Sequence, residues 1–263
     1  ATFILTAIPS YMSHFIWAYS LLMPCFFVVM WCLLLIEEDK RFMYIGIFVL
    51  AGMLVIQPTE SIKLCIMLLI FYVVKCFAEK KWNYEIAVAG AGAVALSLFW
   101  WATKYTEMVR SAGGSQTANV QATTIWESIK KALPAYGGTA TREYTFKDFF
   151  VATKANMINC PVGWGIAISI LLALTFVLMI IFYKKYTLKS KPMMWVSVLW
   201  FIFCFIGVNT MTFNLPIGLF AFRFWPLLAI CVALICAEGI IVFANGIKRY
   251  VPPIIVIGFV VIM

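Results

Sequence analysis

Long apolar stretches leave this chain almost no water-soluble architecture to adopt. Seven of them, at residues 15–36, 42–56, 61–78, 86–102, 163–183, 193–208 and 220–244, are followed by the start of an eighth at 251–263. An α-helix crosses the hydrocarbon of a bilayer in about 20 apolar residues, with a range of about 17–25. The runs are continuous and do not alternate polar with apolar, which sets strands aside. The expected fold is therefore all-α: a polytopic transmembrane helical bundle of about seven complete spans plus partial ends. Residues 1–102 and 161–263 form its helices, in one membrane domain, and residues 103–160 form a long loop. The chain begins at Ala1 and ends at Met263, both inside apolar runs, and is expected to be a fragment of a longer one.

Charge gives this bundle a direction. Numbering the short loops alternately puts Lys40, Arg41, Lys80, Lys81, Lys184, Lys185, Lys189, Lys191, Lys248 and Arg249 on one side. The opposite short loops, at residues 57–60 and 209–219, hold no Lys or Arg. Cations resist translocation, so the basic side is expected in the cytoplasm. The long loop is then extracytoplasmic, and the localisation is the cell membrane, multi-pass. A net charge of +9 consequently marks topology beside anionic lipid rather than nucleic-acid binding. Composition agrees, with 12% charged residues against the roughly 25% of a soluble domain. Trp17, Trp31, Trp82, Trp100, Trp101, Trp164 and Trp195 fall near expected span ends, as interfacial belts require.

Cysteine chemistry is not indicated. Cys25, Cys32, Cys65, Cys76, Cys204, Cys231 and Cys236 lie within apolar runs, and Cys160 stands alone at the edge of the long loop. With one His and no CxxC, a Cys/His metal cage is excluded, and the thiols read as small packing residues. The run AVAGAGAVALS at 87–97 predicts close helix approach.

Several polar residues stand out against this background. Arg223, in Phe220-Ala221-Phe222-Arg223-Phe224-Trp225-Pro226, lies at the outer end of a long apolar span. It either snorkels to headgroups or faces a cavity and holds an anion. Glu60 and Lys63 lie three apart at a Gln57-Pro58 hinge, where an i,i+3 ion pair competes with a role in binding. Asn209, Thr210, Thr212 and Asn214 form either a turn or the lining of the same cavity as Arg223. His14 sits at the outer mouth of the first complete span, more naturally as an interfacial residue than as a base. In the long loop, residues 124–133 read as an amphipathic helix lying in the interface, opened by a Thr124-x-x-Glu127 capping box. Glu127, Arg142, Glu143, Lys147 and Asp148 are the loop charges best placed to reach a substrate. No P-loop, GxSxG or HExxH pattern is present.

The order of these pieces resembles the GT-C superfamily of membrane glycosyltransferases, nearest to the oligosaccharyltransferase catalytic subunits of archaeal and bacterial type and their uncharacterised relatives. Ala7-Ile8-Pro9-Ser10-Tyr11-Met12-Ser13 resembles that family's P-x-Y-x-S-R segment, with His14 in place of the Arg. Thr124-Ile125-Trp126-Glu127 is similar to the TIxE motif that contacts the acceptor. Arg223-Phe224 looks like the RF segment whose Arg lies near the site. The acidic YDNE-type motif expected after PxYxS is replaced by Trp17-Ala18-Tyr19-Ser20, and neither the first outer loop with its catalytic Asp nor the WWD motif is present in this sequence. The resemblance implies transfer of a sugar or oligosaccharide from a polyprenyl (di)phosphate carrier to a protein or glycan acceptor on the extracytoplasmic face. Arg223, Glu127, Glu60 and His14 would bind substrate, and the main carboxylate would lie outside this sequence. No cofactor is evident, and a divalent metal (Mg or Mn) is implied by the resemblance alone. Partners are the lipid-linked donor, the acceptor and membrane lipid, with no nucleic acid. The alternatives are a transporter or flippase of lipid-linked glycan, or a non-catalytic membrane subunit.

Overall fold

The computed structural model describes residues 4–5, 19–112, 143–151, 162–215 and 221–247. Among them every regular element is helical and no strand occurs. Three helices are long and apolar enough to cross a membrane, at Glu60–Glu79, Tyr84–Lys104 and Ala221–Asn245. Four shorter apolar helices accompany them. The helices fall into two compact units, one within residues 19–112 and one comprising residues 143–151, 162–215 and 221–247 with residues 4–5.

The first unit contains α1 (Tyr19–Leu35), α2 (Arg41–Ile56), α3 (Pro58–Glu79) and α4 (Tyr84–Ala112). Their ends follow local chemistry. Pro58 starts α3 at a position where its missing N–H costs nothing. Lys80 ends that helix in the left-handed region (φ 54°), and its N–H closes on the Cys76 carbonyl. Helix α2 is central and packs against α1 and α4. Small residues permit this approach, as the AVAGAGAVALS run predicts: Ala89 and Ala93 are buried, and a Cβ on Gly92 would lie 3.1 Å from Ile47 Cδ1. Trp101 adds a bond from Nε1 to the Leu54 carbonyl (3.2 Å). At the opposite end of α3, Lys75 pairs with Glu37 at 3.0 Å and with Glu79 at 3.7 Å. The apolar part of α4 ends at Lys104, close to the expected end at 102, and the helix itself runs on to Ala112. Thr103 and Lys104 follow Trp100 and Trp101 on that helix with nothing to break it, and neither Pro nor Gly occurs before Gly113.

The second unit contains α5 (Phe146–Phe150), α6 (Ile166–Ile181), α7 (Pro192–Val208), a 3-10 turn (Ala221–Phe224) and α8 (Trp225–Ile247). Helix α8 is its core, packed on α6 and α7, with Leu227, Leu228, Cys231, Val232 and Ile235 fully enclosed. Gly239 allows α6 to lie against α8, since a Cβ there would overlap the Thr175 hydroxyl. The described cysteines are free thiols, and Cys32, Cys204, Cys231 and Cys236 are buried in packing positions.

Candidate functional site

Two polar clusters interrupt the apolar helices, one in each unit. The first is built on the break between α2 and α3. Gln57 leaves helical geometry (φ −154°, ψ 89°), and Pro58 immediately begins the next helix. Ser61 ties the break together by donating from Oγ to the Met53 carbonyl at 2.6 Å. One turn into α3, Lys63 Nζ donates to Glu60 Oε2 at 2.8 Å, and both side chains are 0% exposed. The expected i,i+3 pair therefore exists, but its setting differs from a surface pair. Both charges are withdrawn from water, so breaking their ion pair is costly. The Gln57 Oε1 atom is buried beside them with no hydrogen-bond donor.

Arg223 occupies the second cluster. Residues 220–244 read as one span in the sequence, and Ala221–Asn245 is a single apolar helical stretch long enough to cross a membrane. Within it, Arg223 lies in the 3-10 turn Ala221–Phe224 that runs directly into α8, and Pro226 sits in the first turn of that helix, where it removes no needed bond. The turn is anchored by its neighbours. Phe224 is buried, packs edge-on against Phe203 (centroids 5.5 Å apart) and fills the space left by Gly207. Trp225 is fully buried between Tyr144 (5.2 Å) and Phe149 (5.0 Å). Arg223 itself is half-buried.

Residues 143–151 lay aromatic side chains against Trp225, the first residue after this turn, and against Trp164 and Phe205. Tyr144 is fixed through Thr212, whose Oγ1 accepts from the Tyr144 N–H and donates to its carbonyl, both at 3.3 Å. A capping box starts α5: Asp148 Oδ2 accepts from the Thr145 N–H at 2.7 Å and from its hydroxyl at 2.9 Å. Asp148 is buried by this arrangement, a correction to its expected reach toward substrate. Glu143 and Lys147 are exposed. Gly163 (φ 88°) passes so close to the Asp148 carbonyl that no Cβ fits, and Trp164 donates its N–H to the Phe149 carbonyl at 3.1 Å. Trp164, two residues before α6, is buried and packs against Phe149 and Trp225.

The segment holding Asn209, Thr210, Thr212 and Asn214 is a turn. Asn209 Nδ2 donates to the Phe205 carbonyl (2.8 Å) and Thr210 Oγ1 to the Gly207 carbonyl (2.7 Å), closing the C-terminus of α7. Asn214 takes a left-handed conformation (φ 48°). His14 and Glu127 lie outside the described residues, as do the expected helix at 124–133, Arg142 and Cys160.

Sequence reasoning passed over a third cluster, in the second unit. Glu238 of α8 accepts from Lys191 Nζ at 2.8 Å and from the Tyr186 hydroxyl at 3.4 Å. Burial, and then the Glu238 carboxylate, push the Tyr186 phenol up to about 12. A lone acid within a long apolar stretch is the same signal that drew attention to Arg223, and it would have found Glu238.

Comparison with known protein families, curated proteins and solved structures gives no match to this chain. Among the described residues no three His, Cys, Asp or Glu side chains come together as a metal-binding group. The Arg223 turn is what the structure offers chemically: a planar, permanently charged guanidinium suits a phosphate or carboxylate, which it can meet with two parallel hydrogen bonds.

Proposed function

We propose that this chain is a multi-pass membrane glycosyltransferase of GT-C type, transferring sugar from a polyprenyl (di)phosphate carrier to an acceptor on the extracytoplasmic face. The observation that carries this reading is the placement of Arg223. A half-buried guanidinium stands in a 3-10 turn at the head of a long apolar helix, and the two residues that follow it, Phe224 and Trp225, are buried against Phe203 and Tyr144. That is where the phosphate of a membrane-embedded carrier lies, with its apolar tail along the helices. In this reading all seven apolar helices cross the bilayer. The shorter ones, of 16 and 17 residues, reach about 24–26 Å at 1.5 Å per residue and use flanking residues to complete the crossing.

Arg223 stabilises the negative charge that develops on the departing phosphate as the glycosidic bond to the carrier breaks. A fixed cation in a poorly hydrated site does this without reorganising during the reaction. Glu127 and His14 enter this reading only through the resemblance, which implies that the first contacts the acceptor and that the second is among the substrate-binding residues; both lie outside the described residues. Glu60, sealed against Lys63, keeps the α2–α3 break in shape and acts by positioning.

The test is transfer of labelled sugar from a native polyprenyl-linked donor pool by membranes expressing the full chain, beside Arg223→Ala at matched expression. Loss of about 10²–10³-fold in the variant is expected for removal of one such charge-stabilising group. Equal transfer by both proteins overturns the role of Arg223. No transfer by either, with labelled lipid crossing the membrane in a protein-dependent way, replaces the enzyme by a flippase.

A further inference from the structure

The second unit carries a cleft at the end of α6 and α8 opposite the Arg223 turn, beside the loop of residues 182–191 that joins α6 to α7. Its volume is about 460 Å³. One wall is apolar, formed by Leu178, Phe182, Ile241 and Val242. The rim carries Lys185 and Lys191. We infer that this cleft is a headgroup site for an acidic phospholipid of the cytoplasmic leaflet. The inference rests on the membrane-spanning and topological part of the proposed function and is independent of glycosyl transfer.

Charge and shape both favour that occupant. Two lysines line the cleft against one carboxylate, and Lys184 and Lys189 stand exposed on the same loop. The carboxylate, Glu238, does not face an incoming anion alone, because Lys191 and the Tyr186 hydroxyl both donate to its Oε1. Lys185 is the cation placed to meet a phosphate: its side chain is exposed and its Nζ lies 5.3 Å from the centre of the Phe182 ring. A soluble anion would have no use for the apolar wall, whereas a lipid phosphodiester places its glycerol and first methylenes there. Basic pockets between helices on the cytoplasmic side recognise anionic headgroups in this way.

The loop is also built in advance of any ligand. Ser190 Oγ donates to the Lys185 carbonyl at 2.6 Å, and Trp195 Nε1 donates to the Tyr186 carbonyl at 2.9 Å. Lys191 is held at the base of α7 by its N–H bond to the Thr187 carbonyl (3.0 Å) and by its ion pair. Binding therefore orders little more than the Lys185 side chain.

The experiment is native mass spectrometry of the full chain extracted from membranes, with phosphatidylglycerol or phosphatidylcholine of identical acyl chains added. Before any lipid is added, a carbonate wash must leave the protein in the membrane pellet; release into the supernatant overturns the membrane reading itself, and the site with it. Given retention, the wild type should keep phosphatidylglycerol in preference to phosphatidylcholine. Lys185→Gln should weaken that retention roughly tenfold, as expected for a loss near 1.4 kcal/mol. Lys185→Arg should preserve it, and Lys40→Gln, in another basic loop, should leave it unchanged. Equal losses in Lys185→Gln and Lys40→Gln would reduce the effect to diffuse attraction and sink the proposal. So would equal retention of the two lipids, or displacement of phosphatidylglycerol by inorganic phosphate at the same concentration.

Discussion

The α2–α3 break and the Arg223 turn solve the same problem in opposite ways. Each puts a cation among apolar helices. At the break, Lys63 is sealed with Glu60 inside one helical turn, and both side chains are removed from solvent. At the turn, Arg223 stays half-buried, next to Phe224 and Trp225, which are buried against Phe203 and Tyr144. The first charge is closed off from solvent, whereas the second keeps part of its surface exposed. This difference is why Arg223 carries the functional proposal and Glu60 a positioning role.

The largest effect that could break this comparison is at Lys63. Lys63→Met takes the Lys63 ion pair from a fully buried carboxylate, and the loss should be about 3–5 kcal/mol, enough to remove most folded protein. Glu60→Gln combined with Lys63→Met should recover much of it, because no uncompensated charge remains. Thermal unfolding of the detergent-solubilised protein, read as monodisperse fraction against temperature, compares the two. A double variant no better than the single would mean that the pair has a role beyond mutual neutralisation.

Next comes the aromatic lid of residues 143–151 over Trp225. Gly163→Ala puts a Cβ into the Asp148 carbonyl and strains a backbone at φ 88°, while Gly165→Ala meets a similar φ of 86° with open space around it. Backbone strain of this kind costs about 1–3 kcal/mol. The Gly165 variant should show strain alone, and the Gly163 variant should lose more and also loosen the lid. If the lid frames Arg223, sugar transfer should fall further in Gly163→Ala than in Gly165→Ala after both are corrected for folded protein.

The positions of the helices were readable in the sequence because their limits are set by local chemistry. Apolar runs end at charge clusters, at Pro58 and at Pro192, and most helices stop and start there within a few residues, whereas α4 runs on to Ala112. The hinge pair was readable for the same reason, being three residues apart on one helix. What sequence could not supply was which way an aromatic faces. Trp164 sits at a span edge, as an interfacial residue would, but residues 143–151 return to cover it from 13 or more positions earlier in the chain. The capping box was sought at Thr124-x-x-Glu127, outside the described residues, while Thr145-x-x-Asp148 carries the same pattern with the shorter acid. Full burial of Glu60 and Lys63, and the meeting of Glu238 with Lys191, depend on packing between helices and left no local mark.

Asp148 tests whether the lid depends on its cap. Asp148→Ala removes the acceptor for both the N–H and the hydroxyl of Thr145, and losing such a cap costs about 0.5–2 kcal/mol. Because α5 has only five residues, the loss should appear as local opening. Faster hydrogen exchange at residues 146–150, with little change in the melting midpoint, is the expected result. A global loss of stability matching that of Gly163→Ala would show that the cap and the glycine act as one unit.

The smallest effect is absent at neutral pH and separates the partly open cluster at Glu238 from the sealed one at Glu60. Tyr186 is buried against Glu238, so the folded chain keeps its phenol protonated up to about 12 while the unfolded chain ionises near the ordinary 10. The folded state then binds more protons than the unfolded one across that interval, and stability falls as pH rises from about 10 to 12. Below about pH 10 the contribution is constant. Tyr186→Phe should flatten this part of the profile and leave the melting temperature near pH 7 almost unchanged, since the hydrogen bond to Glu238 is long at 3.4 Å and Lys191 still holds the carboxylate. A variant that melts early at pH 7 would instead make the phenol a structural partner of Glu238 equal to Lys191, and would put this cluster in the sealed class with Glu60 and Lys63.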